Sequence, residues 1–176
     1  MWWPSRGGAG LWAPILVLFL TAGCGYRLEN RAHPLPAWIS SIYVEPFTNR
    51  SNELDLGAMI TRELRDEFLK GNALSLAPRG GADVILRGQV VEVDTSGLSY
   101  RRYDQAVERR IAVRCHVSID DARSGEEIWS TSDIVREEGF YVGRTLSETE
   151  AHKREALKKI ASDIAEMVYH RITGVF

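Results

Sequence analysis

The chain has 176 residues, with 22 Lys and Arg against 24 Asp and Glu and a formal net charge of −2. That length fits one domain of ordinary size, and a content of 44% hydrophobic and 26% charged residues excludes a disordered chain. The charge balance provides no extended basic field and so argues against nucleic acid as a partner. Two cysteines are too few for a disulfide scaffold.

The first residues resemble a lipoprotein export signal. Residues 11–22 carry no charge and form a run shorter than the roughly 20 apolar residues that a membrane-spanning helix needs. The run ends in Leu20-Thr21-Ala22-Gly23-Cys24, which resembles the lipobox of bacterial lipoproteins, with Thr21 where Leu is commoner. The resemblance implies cleavage before Cys24 and acylation of its thiol. Because Gly25 follows rather than Asp, it also implies anchoring in the outer membrane. An ordinary cleaved signal, with the cysteine in a core or loop, and an uncleaved membrane anchor are the alternatives.

The signal divides the chain into three parts. We expect residues 1–23 to be a lipoprotein signal peptide, residues 24–37 to be an acylated N-terminus and tether, and residues 38–176 to be a single domain. Acylation of Cys24 would leave Cys115 without an intrachain partner. Cys115 lies in an apolar row, which predicts a buried, unreactive thiol.

Strands are predicted where β-branched and aromatic residues alternate with polar ones. The clearest alternation runs from Ile111 to Ile119, with an apolar side and a polar side. Between Gly88 and Val91 the alternation of another strand falters, as a bulge or burial on both sides would cause. The predicted strands are residues 39–47, 84–93, 111–119 and 127–135.

Two segments have the spacing of amphipathic helices. Residues 53–70 place an apolar residue at every fourth position, with Asn52 as the predicted cap and Gly71 as a left-handed stop. Residues 148–172 carry a second apolar stripe behind a capping box of Ser147 and Glu150. Gly174 is predicted to end this helix.

These elements predict an α+β fold in the order strand, helix, three strands, helix. Each helix has one apolar stripe and the best-defined strand has one apolar side. We therefore expect a four-stranded mixed sheet with two amphipathic helices packed on one face and a polar opposite face.

The sequence contains no recognisable catalytic or metal-binding motif. The four histidines do not form HExxH, and CxxC, GxSxG and phosphate-loop patterns are absent. We expect a protein that is not an enzyme and that carries no cofactor or metal.

A cluster of arginines and tyrosines follows the second predicted strand. Arginine forks match phosphates, and neighbouring tyrosines add flat apolar area. The cluster contributes Arg101, Arg102, Arg109 and Arg114 as candidate contacts to an anionic ligand. A long solvated hairpin that arginines keep soluble is the alternative. A second segment, residues 139–144, places aromatic residues between glycines, which is typical of a loop facing a partner or of a small satellite core.

Several stretches resemble the lipopolysaccharide (LPS)-assembly lipoprotein family, the LptE-like partners of the outer-membrane LPS-assembly barrel. The matching stretches are CGYRL at 24–28, IYVEPFTNRS at 42–51, ADVILRG at 82–88, GEEIW at 125–129 and the closing amphipathic helix. The resemblance covers nearly all of the chain after the signal and implies the same arrangement of two helices on a four-stranded sheet.

The resemblance also implies a function. Such a protein sits in the barrel as a plug, helps to assemble the barrel, and assists LPS transport to the cell surface. It implies LPS and the barrel as partners and Arg101 and Arg144 as LPS contacts. The implied location is the outer membrane, facing the periplasm or within the barrel lumen. The VEPFTNRS segment also resembles envelope lipoproteins of similar fold, so a cell-wall synthase activator and a secretion-pore subunit are the alternatives.

Overall fold

The computed structural model describes residues 35–100 and 106–174. These residues form six strands and two helices in the order β1, β2, α1, β3, β4, β5, β6, α2. Their bounds are β1 Ser41–Val44, β2 Thr48–Asn49, α1 Leu56–Lys70, β3 Ser75–Leu76, β4 Val84–Tyr100, β5 Ala106–Asp121, β6 Glu127–Tyr141 and α2 Leu146–Thr173.

The strands form one mixed sheet in the order β3-β1-β4-β5-β6. β1 pairs in parallel with β3 and β4, and β2 continues along the same edge of β4. The antiparallel part, β4 to β6, consists of long strands of 15 to 17 residues. Parallel pairs need a crossover between them, and α1 supplies it between β1 and β3.

Both helices bury their apolar stripes against one face of the sheet. Alternate residues of β5 form the centre of this core, with Ile111, Val113, Cys115, Val117 and Ile119 all fully buried. The stripes of both helices join the same hydrophobic cluster. Because successive side chains of a strand point to opposite faces, the intervening residues of β5 form a second face, called here the polar face.

The α+β class and the two helices on a mixed sheet are confirmed, but the sheet has six strands instead of four. The additional strands, β2 and β3, have two residues each, too few to produce an alternation in the sequence. The single predicted strand at 39–47 is two strands, because the chain is interrupted at residues 45–47 before it pairs with β4 again.

The sheet has two distinct ends. The tether end holds the start of β1, the start of β4, the turn between β5 and β6, and the C-terminus of α2, where Arg171 contacts Thr131 at 3.3 Å. The hairpin end holds the end of β4, the start of β5, the end of β6 and residues 142–145 before α2. β4 alone separates them by roughly 50 Å at about 3.3 Å per residue.

No helix in the described ranges is long and apolar enough to span a membrane.

Candidate functional site

The predicted arginines lie on different parts of the molecule. Arg101 and Arg102, like Cys24, are outside the described residues. Arg109 lies on β5 rather than in a loop, because β4 and β5 extend well beyond the predicted strands. Arg114 lies on the polar side of β5, as expected for the predicted strand at residues 111–119. Arg144 lies at the hairpin end, in the loop that leads into α2.

Arg114 is paired with a carboxylate on the neighbouring strand. It lies on the polar face, and its Nε is 3.4 Å from Oε2 of Glu92 on the neighbouring strand. The sequence could not reveal this pair, because a bulge between Val90 and Glu92 brings Glu92 opposite Arg114. Arg110 lies on the same face and pairs with Glu137 at 3.1 Å. An anionic ligand would have to compete with a carboxylate at both positions.

Arg109 has a different environment. It stands directly opposite Phe140 on β6, and Phe140 belongs to the core beneath the helices. Residues directly opposite on paired strands point to the same side of the sheet, so Arg109 lies on the helix side of the hairpin end. Arg109 and Arg144 are both exposed, and neither side chain has an ion-pair partner among the residues described.

The loop that carries Arg144 is fixed by the first turns of α2. The backbone N–H of Gly143 donates to Oγ1 of Thr149 at 3.0 Å, and that of Arg144 donates to Oε2 of Glu148 at 2.7 Å. One ring nitrogen of His152 lies 2.9 Å from the carbonyl oxygen of Tyr141. These bonds satisfy backbone groups on both sides of the turn, so the loop has a defined conformation.

The cap of α2 belongs to the same arrangement. Thr145 is the N-cap, and its hydroxyl accepts a 3.2 Å hydrogen bond from the N–H of Glu148. The predicted cap at Ser147 was therefore two residues late. Thr145-Leu146-Ser147-Glu148 also fits the capping pattern, and that motif is the sequence feature that could have located the loop.

Exposed apolar side chains surround the Arg144 loop. Tyr141 is 67% exposed and Leu146 is 77% exposed, and Val142 lies between them with 36% exposure. The N–H of Val142 bonds the carbonyl of Val107 at 3.0 Å, which holds this segment beside the start of β5. The hairpin end therefore combines apolar surface with two guanidinium groups that have no ion-pair partner in residues 35–100 and 106–174.

The polar face has paired charges. Glu45 accepts from Arg79 at 2.6 Å and from Arg87 at 2.8 Å, and Arg87 also contacts the buried carboxylate of Asp120. Together with the Arg110 and Arg114 pairs, these contacts place a carboxylate beside each of the four arginines named here. Such a face suits a polar, hydrated environment better than a strongly anionic ligand.

The described residues contain no group of three or more side chains that could hold a metal ion. Cys115 is fully buried, and burial raises the pKa of its thiol to about 12. A thiol with so high a pKa is not a nucleophile at neutral pH. The prediction of an unreactive structural cysteine is confirmed in this respect.

The sequence matches the model of one protein family, LptE, described as lipopolysaccharide-assembly, over residues 39–172. Among curated proteins, none matches the sequence significantly.

Several solved structures share the fold. Uncharacterised lipoprotein B from Nitrosomonas europaea has a TM-score of 0.55 at 16% identity, with 86% of this chain and 92% of that chain covered. Rare lipoprotein B from Shewanella oneidensis has a TM-score of 0.53 at 13% identity, with 75% and 94% covered. A dodecamer of a PelC variant from Paraburkholderia phytofirmans has a TM-score of 0.51 at 18% identity, with 81% and 95% covered. At these identities the similarity is one of fold.

Proposed function

This chain belongs to the LptE family of lipopolysaccharide-assembly proteins, and on that premise we propose that it is an outer-membrane lipoprotein that plugs the LPS-assembly barrel and contacts LPS at its hairpin end. Its general role is LPS assembly in the cell envelope. The family is not one of enzymes. Acylation of Cys24 would hold the domain at the periplasmic surface of the outer membrane.

The hairpin end carries the proposed LPS contact. LPS presents phosphates and sugar carboxylates on an apolar base, and this end of the domain carries Arg109 and Arg144 together with the exposed side chains of Tyr141 and Leu146. Guanidinium groups bind phosphate oxygens in a bidentate way, while aromatic and aliphatic side chains cover apolar surface next to them. Arg101 and Arg102 are adjacent in sequence to the end of β4 and remain candidates for the same contact.

Charge reversal tests this contact. In acylated protein, Arg109→Glu with Arg144→Glu should weaken LPS capture at least about tenfold, because hydrogen bonds to charged groups contribute about 1.5–3 kcal/mol each. Each single reversal is also measured, and the matched control for these is Arg123→Glu, which makes the same change of charge in the exposed turn between β5 and β6 at the tether end. Equal capture by the hairpin-end variant and the wild type would contradict the proposed contact.

The character of the polar face supports the proposed role as a barrel plug. The interior of a large outer-membrane barrel is polar and hydrated, so a domain that fills it needs surfaces without large apolar patches or a strong single-sign field. The paired charges around Glu45, Arg87 and Asp120 give the polar face that character. His116, half-buried on the same face, marks its centre.

A photo-crosslinking residue at His116 tests the plug. In intact cells we expect an adduct with one large outer-membrane barrel protein, and we expect the barrel to co-purify with this chain in equal amounts. The same crosslinker at Ser124, in the turn at the tether end, reports whether contact is specific to the polar face. Adducts of this chain with itself, together with ring-shaped oligomers, would support the pore-subunit alternative instead.

A further inference from the structure

An exposed tryptophan lies where the chain enters the folded domain. Residues 36–39 form a tight turn closed by a 3.1 Å hydrogen bond from the N–H of Ile39 to the carbonyl of Pro36. Leu35 and Ile39 on either side are each only 8% exposed and belong to the core. Trp38, at the tip of the turn, is 56% exposed. The turn is thus anchored at both ends, and it presents the largest side chain outward.

The surface beside this turn is apolar. A shallow groove of about 210 Å³ lies between the turn, the chain after α1 and the last turn of α2, lined by residues 35–37, 39, 73–74 and 172–173. Apart from Thr173, every residue in this lining is apolar. The floor of the groove is buried, with Leu35, Ile39 and Leu74 each 8% exposed, so the accessible apolar surface here comes from Trp38 with Pro36 and Ala37 beside it.

The length of chain between Cys24 and this turn restricts what that contact can be. Eleven residue steps separate Cys24 from Leu35, and a fully extended chain covers at most about 3.6 Å per residue, or about 40 Å. An acylated Cys24 would therefore keep the tether end within about 40 Å of the bilayer. The hairpin end, roughly 50 Å along β4, would lie far from the point of attachment.

We propose that Trp38 and the apolar groove beside it rest in the headgroup region of the phospholipid leaflet that holds the acylated N-terminus. Indole has an apolar body and one N–H donor, which is why tryptophan concentrates at membrane–water interfaces. The contact adds a second, weaker attachment to the lipid anchor and fixes which end of the domain faces the bilayer. This inference rests on the proposed acylation of Cys24.

Tryptophan fluorescence tests the proposal directly, because Trp38 and Trp129 are the only tryptophans after residue 23. Trp129→Phe leaves Trp38 as the single emitter, and Trp38→Phe leaves Trp129, which packs against the core. Both variants are prepared in acylated form and placed in phospholipid vesicles with bromine at a shallow or a deep position of the acyl chain. Mass spectrometry of the same samples confirms the acylation.

We expect Trp38 emission to shift to shorter wavelength and to be quenched more by shallow than by deep bromine, and we expect half-buried Trp129 to be quenched less than Trp38. If Trp129→Phe folds poorly, the quenched component that wild type has and Trp38→Phe lacks gives the same information. Unacylated Cys24 would refute the anchor and with it the proposed function. Acylated protein whose Trp38 is not quenched would refute only the membrane contact, and a blue shift on adding the barrel without lipid quenching would assign the turn to the barrel.

Discussion

The backbone N–H of Arg144 donates a 2.7 Å hydrogen bond to Oε2 of Glu148, so the first turn of α2 fixes the residue proposed to meet LPS. Gly143 is held in the same way by Thr149. A side chain added at Gly143 would come within 2.3 Å of Cβ of Glu148, so the loop and the helix are closely packed. A loop ordered before binding loses little conformational freedom on binding. Arg144 is therefore presented on a preorganised turn.

Glu148→Ala should loosen this turn and weaken LPS capture. One hydrogen bond contributes about 0.5–1.5 kcal/mol, which corresponds to about two- to tenfold in affinity. The matched control is Glu148→Gln, which removes the same charge but keeps an oxygen that accepts from Arg144. Hydrogen exchange of the Arg144 amide should accelerate in the alanine variant and much less in the glutamine variant. Equal LPS capture by all three proteins, despite faster exchange, would show that loop order does not matter for binding.

The sequence predicted the buried side of each long element well, because burial follows the local period. All five apolar residues of β5 between Ile111 and Ile119 are fully buried, and the predicted stripe of α1 from Leu56 to Phe68 is buried at every fourth position. The interruption near Val91 is a bulge. The stop at Gly174 is also confirmed, since its φ of 66° is left-handed.

The features that the sequence did not predict depend on contacts between residues distant in sequence. Gly71 has a φ of −82° and is not a left-handed stop; a side chain there would overlap the hydroxyl of Tyr169 on α2. Asn52 does not cap α1, whose N-cap is Asp55 without a side-chain bond. The pairing of Arg114 with Glu92 follows from strand register across a bulge. Such relations are set by tertiary packing, which local periodicity does not encode.

Gly88→Ala should destabilise the domain. A Cβ at this position of β4 would lie 2.0 Å from the ring of Phe47, which packs over the glycine from the chain between β1 and β2. Overpacking of this kind costs about 1–3 kcal/mol in the free energy of unfolding, measured by chemical denaturation. Phe47→Leu should make the added methyl less costly, so the double variant should be more stable than the two single changes predict.

Gly80→Ala is the control for this comparison, because a Cβ there meets no atom within 4 Å. We expect it to change stability by no more than about 0.5 kcal/mol. Loss of stability in both glycine variants would mean that backbone freedom, rather than contact with Phe47, explains the effect.

Asp83 should make the stability of the domain sensitive to acid. Its carboxylate accepts hydrogen bonds from the backbone N–H and the hydroxyl of both Ser40 and Ser41, joining the start of β1 to the start of β4. These bonds lower the pKa of Asp83 to about 2, and the bond from the backbone N–H of Ser40 has the largest effect. The pKa of an aspartate in the unfolded chain is about 4. The ionised Asp83 carboxylate therefore stabilises the fold fully above about pH 4, and this contribution is lost as the pH falls toward 2.

Urea unfolding of wild type and Asp83→Asn across this range measures the effect. At neutral pH we expect the variant to unfold at lower urea, and the difference should shrink between about pH 4 and pH 2 as the wild-type carboxylate is protonated. Asp66→Asn on α1 controls for the loss of one negative charge. A difference that stays constant with pH would mean that the Asp83 carboxylate does not stabilise this edge of the sheet.

Counting reactive thiols tests two expectations at once, the burial of Cys115 and the acylation of Cys24. Burial raises the pKa of the Cys115 thiol to about 12, so a thiol reagent should not modify it in the folded domain at neutral pH. On unfolding, an acylated chain should release one reactive thiol, and a chain with Cys24 unmodified should give two. Ser124→Cys, in the exposed turn between β5 and β6, is the positive control and should react before unfolding. Modification of Cys115 in folded protein at the rate of that control would contradict its place in the core, because a fully buried thiol becomes accessible only when β5 separates from the helices.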